Sequence, residues 1–172
     1  MEKSPEYEKY PVSEEEMGKR YKNWVDALSR YLVIAFNVGK EVAGEEYVER
    51  LKEEFYKAGQ RGAKHWAEAS GVTEAELVDC RGIAKIQDFI DDGYANFWEG
   101  YIENSPAALE KEVYTCPVAK PWSRAPELCE VLLASSMEGM MKTLNPKFES
   151  KGFSKLIPKG DRVCRFRVEM KE

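Results

Sequence analysis

The sequence predicts an α+β fold, with N-terminal helices packed on a small antiparallel sheet that ends in a C-terminal β-hairpin. Two long stretches, residues 17–36 and 47–66, repeat apolar residues every three or four positions. That spacing marks a helix with one apolar face. Residues 162–170 instead alternate strictly and follow a Pro158-Lys159-Gly160-Asp161 turn. Strand side chains point to opposite faces in turn, so Cys164, Phe166, Val168 and Met170 share one face, while Val163, Arg165, Arg167, Glu169 and Lys171 share the other.

Residues 1–12 read as a flexible arm, and residues 13–172 as a single α+β domain. Ser13-x-x-Glu16 is a capping box, with Val12 and Met17 placed as a hydrophobic staple. The first helix carries Met17, Tyr21, Trp24, Val25, Leu28, Tyr31, Leu32, Ala35 and Phe36 as its stripe, and Gly39 is expected to end it near Asn37. A second helix runs from Glu41 or Gly44 to Ser70, closed by Gly71, and Gly59 and Gly62 let another backbone approach. Thr73-x-x-Glu76 opens a short helix, and a third long helix covers residues 82–98. Asp88, Asp91 and Asp92 lie off its apolar face, either as a solvated surface or as a group able to hold a cation. Residues 109–118 read as a strand, and Pro117 with Pro121 forces a loop. A helix over 126–143 follows, stopped by Asn145-Pro146. Two strands close the chain, 147–157 and 162–170, joined by a turn with Gly160 in the left-handed region.

Composition narrows the function. A hydrophobic share of 43% supports a real core, and a net charge of −5 argues against nucleic acid as a partner. No apolar run reaches membrane-spanning length, and the acidic N-terminus lacks a signal core, which points to the cytoplasm. Four cysteines among 172 residues make no disulfide scaffold. Free thiols are expected, and a metal held by cysteines is an open alternative.

The thiols carry the chemistry in this reading. Cys116, Cys129 and Cys164 are far apart in sequence and are expected to meet around one pocket. A nucleophilic thiol needs a depressed pKa, and Cys129 falls near a helix start, where unpaired N–H groups favour anions. The plainer alternative is that each is a small buried hydrophobe. His65, the only histidine, is the one imidazole available for proton transfer or else a surface residue. Arg165 and Arg124 are candidate clamps for a substrate carboxylate; edge-strand protection is the plainer role for Arg165. Trp122 and Met140, with neighbouring Trp and Met residues, line a small-molecule pocket or simply pack.

Three segments resemble the L-2-amino-thiazoline-4-carboxylic acid hydrolase family. They are Gly44-Glu45-Glu46-Tyr47 leading to Ala58-Gly59-Gln60-Arg61-Gly62-Ala63, then Thr115-Cys116-Pro117-Val118-Ala119 with Glu127-Leu128-Cys129, and finally the run from Lys159 through Gly160-Asp161 and Cys164 to Phe166. The Gly-Asp-x-x-Cys-x-Phe ending is also similar to small-molecule sensor domains related to bacterial 4-vinyl reductases. The resemblance implies a cytoplasmic hydrolase acting on a cyclic amidine-like C–N bond, with Cys116 and Cys164 as the preferred site thiols, Cys129 third, and His65 or a carboxylate moving protons. Some related sensor domains hold zinc through a glutamate and three cysteines; here Phe153 and Leu156 stand where two upstream ligands are expected. Two other readings remain open: a non-catalytic small-molecule or metal-binding sensor or carrier, and an assembly subunit whose N-terminal helix makes a homo-oligomer or docks.

Overall fold

The computed structural model describes residues 13–93 and 98–171, with strand β1 beginning at the backbone of Trp98. The expected arm and the Val12 half of the staple lie outside the described residues.

Helix α1 (Glu14–Ala69) starts as its capping box requires: the Glu16 N–H donates to the Ser13 hydroxyl at 3.2 Å. It does not end at Gly39. The helix continues to Gly44, whose φ of 62° and ψ of −144° lie where only glycine sits without strain. There the second limb (residues 45–69) folds back, so that Val33, Phe36 and Val48 share one cluster. Gly39 serves this reversal instead: a Cβ on it would stand 2.2 Å from the Tyr47 ring.

The Thr73–Glu76 box forms, with the Thr73 N–H and hydroxyl both donating to Glu76 at 3.0 Å, but it caps a turn rather than a helix. Helix α2 (Cys80–Asp92) begins after Asp79, which accepts the Arg81 N–H, and stops at Gly93. It therefore falls short of Trp98. Strand β1 (Trp98–Asn104) follows, a strand that the sequence reading missed. Its inward positions include Glu99 and Tyr101, so no apolar alternation announces it.

Strands β2 (Ala108–Thr115), β3 (Phe148–Lys155) and β4 (Cys164–Met170) complete an antiparallel sheet of order β1-β2-β4-β3. Gly160, at φ 101°, closes the turn before β4. β4 alternates as predicted, with Cys164, Phe166 and Val168 buried. It is a central strand, however, so its arginines do not guard an edge. They ladder across the outer face: Arg165 meets Glu112 at 2.5 Å, and Arg167 meets Glu110 at 2.8 Å and Glu103 at 2.9 Å.

Between the sheet halves run a short helix α3 (Ala119–Trp122), where a loop was expected, and a π-helical turn (Cys129–Ala134) that leads into α4 (Ser135–Leu144). The second limb of α1 crosses α4 at two glycines. A Cβ on Gly59 would lie 1.9 Å from the Ser136 carbonyl oxygen, and one on Gly139 would lie 2.0 Å from that of Tyr56. Gly62 faces only Trp66 of its own helix.

Two apolar clusters result. One, under the sheet, gathers Ile83, Ile86, Leu109, Met141, Phe148 and Val168. The other sits at the bend of α1 and gathers Phe36, Val48, Trp122, Leu128, Cys129 and Cys164.

Candidate functional site

The thiols fall into two groups. Cys116 caps the approach to α3, where the Val118 and Ala119 N–H groups point at its sulfur; Cys129 opens the π-helical turn; Cys164 opens β4 and accepts the Ile157 N–H at 3.2 Å. A charge on Cys164 would be felt at both Cys116 and Cys129, so the fold does gather these sulfurs. Cys80 stays apart, fully buried at the head of α2 in the other cluster. A four-thiolate set is therefore not assembled. Among the described residues no group of three or more His, Cys, Asp or Glu is arranged to hold a metal. The open alternative of a metal held by cysteines thus finds no ligand set among the described residues.

Their environment opposes thiolate formation. Burial pushes Cys129 up to about 12 and Cys116 up to about 11, against the help Cys116 receives from two N–H donors. Burial also raises Cys164. The two described cavities, about 410 and 310 Å³, have no cysteine in their walls.

The remaining candidates are dispersed. His65 is exposed, its ring edge-on to Trp66 at 5.2 Å, beside residues of the cluster that lacks the thiol group. Trp122 and Met140 are both buried but in different clusters, so they do not share a pocket wall. Arg124 borders the smaller cavity with Arg30 and Lys120, while Arg165 is on the outer sheet face, engaged by Glu112.

Two features were missed. The first is an ionic knot between α2 and the inner sheet face. Lys111 is 3% exposed and meets Glu99 at 2.5 Å, Asp91 at 2.7 Å and Asp88 at 3.3 Å. Asp88 also accepts the Tyr101 hydroxyl. Asp88 and Asp91 thus hold an ammonium group rather than a divalent cation, while Asp92 lies on a solvated face as expected.

The second is on the first limb of α1. Of the stripe read as buried, Phe36 is covered and Val25 and Leu32 are half-buried. Met17, Tyr21, Trp24, Leu28, Tyr31 and Ala35 face solvent, and so do Val38 and Val42. Trp24 is 61% exposed, Tyr31 66% and Val42 82%. These positions recur at alternating steps of four and three, the a/d repeat of a helix that packs against another helix. That repeat was visible in the sequence. It was merged with the core positions because both sets recur at helical spacing.

No protein-family model matches this chain, and no curated protein matches it. Among solved structures it is similar to a trafficking protein particle complex subunit 3 from Naegleria fowleri, described as covalently bound to palmitic acid, with a TM-score of 0.62 and 15% identity over 85% of this chain and 96% of that one. At that identity the likeness shows the fold. It overturns the resemblance to amino-thiazoline carboxylate hydrolases and 4-vinyl-reductase-like domains, and with it the hydrolase assignment. The three segments that suggested that family are structural here: Gly59 sits at a helix crossing, Cys129 is buried packing with Cys116 half-buried near it, and Gly160 makes a turn. No described helix is long and apolar enough to cross a membrane.

Proposed function

We propose that this protein is a non-catalytic subunit of a cytoplasmic protein assembly, with residues 13–172 as one domain that docks through the first limb of α1. The observation that carries the reading is the exposed apolar seam from Met17 to Val42. Contiguous apolar surface of this extent is costly to leave in water and marks interaction sites. The likeness to a trafficking-complex subunit supports the reading, since a subunit of that fold exists within a larger particle. The neighbour's palmitic acid is not carried over, because the thiols here are packed and the described cavities do not reach them.

The test uses the protein tagged at its C-terminus and isolated from its source without denaturant. It is expected to run in a particle heavier than the lone chain. Replacing Trp24 and Tyr31, both solvent-facing, by glutamate is expected to reduce that particle to the mass of the lone chain while circular dichroism stays unchanged. A lone chain from the start, or a heavy particle indifferent to the seam, overturns the reading.

A further inference from the structure

The geometry points to a second docking site: the cleft between the first limb of α1 and α3 takes an acidic peptide segment of a different protein, with one apolar side chain entering between two carboxylates. The inference goes beyond the seam reading, since it rests on cations and a cavity rather than on an apolar stripe. Three properties of the cleft carry it: its walls, its charge, and the spacing of its cations.

The walls are apolar where the cleft meets the protein body. Val33 is 5% exposed and belongs to the packed cluster that contains Trp122, and Pro121 is buried. Ile34, 59% exposed, borders the same cavity from α1. The volume, about 310 Å³, stands at the small end of ligand pockets. It suits one large apolar side chain.

Charge distinguishes this cleft from the rest of the surface. Arg30 borders it from α1, held by Asp26 at 2.7 Å. Lys120 and Arg124 border it from α3 and the turn that follows. Both are exposed, and among the described residues neither forms an ion pair. The Lys120 charge is felt at Asp26, so the two walls share one field. Even with Asp26 included, positive charge is in surplus here, on a chain whose net charge is −5. The larger cavity has the opposite balance, with Glu130 and Glu138 against Lys151. Complementary charge of this kind selects and orients a partner.

Spacing identifies the partner as a peptide. The Ser123 N–H donates to the Ala119 carbonyl at 3.0 Å, and the Ser123 hydroxyl donates to that of Lys120 at 2.9 Å. With Trp122 buried at its centre, this turn is fixed before anything binds, which lowers the cost of binding. Lys120 and Arg124 are thereby held about one helical turn apart, a separation of about 5–6 Å between Cβ atoms. Alternate residues of an extended peptide are about 6.6 Å apart. An acid-apolar-acid segment therefore sets its carboxylates at the two cations while the residue between them enters the cleft. Cations on separate side chains and on two walls match two carboxylates. One phosphate calls for donors that converge on a point.

Nuclear magnetic resonance titration of the purified full chain is the test, with the peptide Ser-Glu-Leu-Glu-Ser as the probe. At low salt it is expected to bind with a Kd of about 0.1–1 mM, as suits one small contact. Amide shifts are expected to concentrate at Ile34, Ser123 and Arg124. Replacing both probe glutamates by glutamine is expected to weaken binding about tenfold, and replacing leucine by serine about fivefold. Lys120→Glu with Arg124→Glu is expected to weaken it at least about tenfold. Arg61→Glu with Lys147→Glu makes the same change in net charge at exposed positions elsewhere and is expected to leave binding within about twofold. Circular dichroism confirms that each variant folds. Four results overturn the inference: no shifts with about 2 mM probe, shifts dispersed away from the cleft, equal binding of the glutamine or serine probes, or equal losses in the two double variants. Inorganic phosphate or phosphatidylserine vesicles that bind the cleft more tightly than the probe, and lose binding in the Lys120/Arg124 variant, also overturn it and assign the cleft to a phosphate group.

Discussion

The Lys111 ammonium lies 2.5 Å from the Glu99 carboxylate on the inner face of the sheet, at a position flanked along β2 by Leu109 and Val113. A charge at a core position persists only with partners, and Lys111 has three carboxylates around it. The knot thus carries more negative than positive charge. Stability and pH dependence both follow from that imbalance.

Removing the ammonium leaves the acids facing one another with little water. Lys111→Met is expected to destabilise the protein by about 3 kcal/mol, as for a buried pair broken on one side. Asp88 is 45% exposed and tempers the loss, so Asp91→Asn in the same background is expected to recover part of it. Urea denaturation of the two variants measures both effects. A change below about 0.5 kcal/mol, the range of ordinary surface substitutions, rules out the knot as a stabilising element.

Burial, assisted by Asp91 and opposed by Lys111, pushes Glu99 from 4.5 up to about 8. Asp88 and Tyr101 are the other polar groups packed there. The folded protein therefore holds a proton that the unfolded chain has released between about pH 4.5 and 8. Because the folded state binds the extra proton, stability falls as pH rises through that window and levels off above it. Glu99→Gln is expected to flatten the slope. Melting temperatures at pH 5, 7 and 8.5 test this, and a wild-type slope retained by the variant assigns the titration elsewhere.

Helix crossing at Gly59 and Gly139 leaves no room for a methyl group, since the obstructing atoms are backbone carbonyls. Gly59→Ala or Gly139→Ala is expected to cost about 2–3 kcal/mol by overpacking. Gly18→Ala, with nothing within 4 Å of the added carbon, is expected to gain about 0.5–1 kcal/mol from helix propensity. Thermal unfolding of the three variants should separate them by sign.

Gly44 is different, because space is available and conformation is not. Its φ of 62° with ψ of −144° penalises any side chain, and Gly44→Ala is expected to cost about 1–3 kcal/mol. Deuterium exchange should show the loss concentrated at the bend of α1. Uniform exchange across the molecule contradicts that localisation.

Thiol reactivity provides a separate check. With Cys80 held near 11, Cys116 near 11 and Cys129 near 12, aromatic disulfide reagents at pH 7.5 are expected to modify the native protein slowly. Cys116, the one thiol that is not fully buried, should react first, and all four should react at once in denaturant. Rapid stoichiometric labelling of Cys129 in the folded state contradicts the packed environment described above.

Local patterns were legible where a single cause acts. The Ser13 cap, the left-handed Gly160, the alternation of β4 and the α+β class each follow from short-range rules of helix ends, turns and strand period. Strand β1 escaped because its inward face carries Glu99 and Tyr101, whose burial makes sense only with Lys111 from the next strand opposite. Edge-strand protection was the plainer role read for Arg165 because strand order, which makes β4 central, depends on pairing across distant segments.

The amino-acid sequence by itself determined which residues of α1 are apolar and at what spacing. Only the tertiary structure decided which of them are covered, because the second limb, folded back at Gly44, takes one flank of the stripe and leaves Trp24, Tyr31 and Val42 in water. The same holds for the sulfurs: their number was evident, but their protonation depends on the dry packing that long-range folding builds around them. Periodicity is a property of one segment, whereas burial belongs to the pair of surfaces that meet.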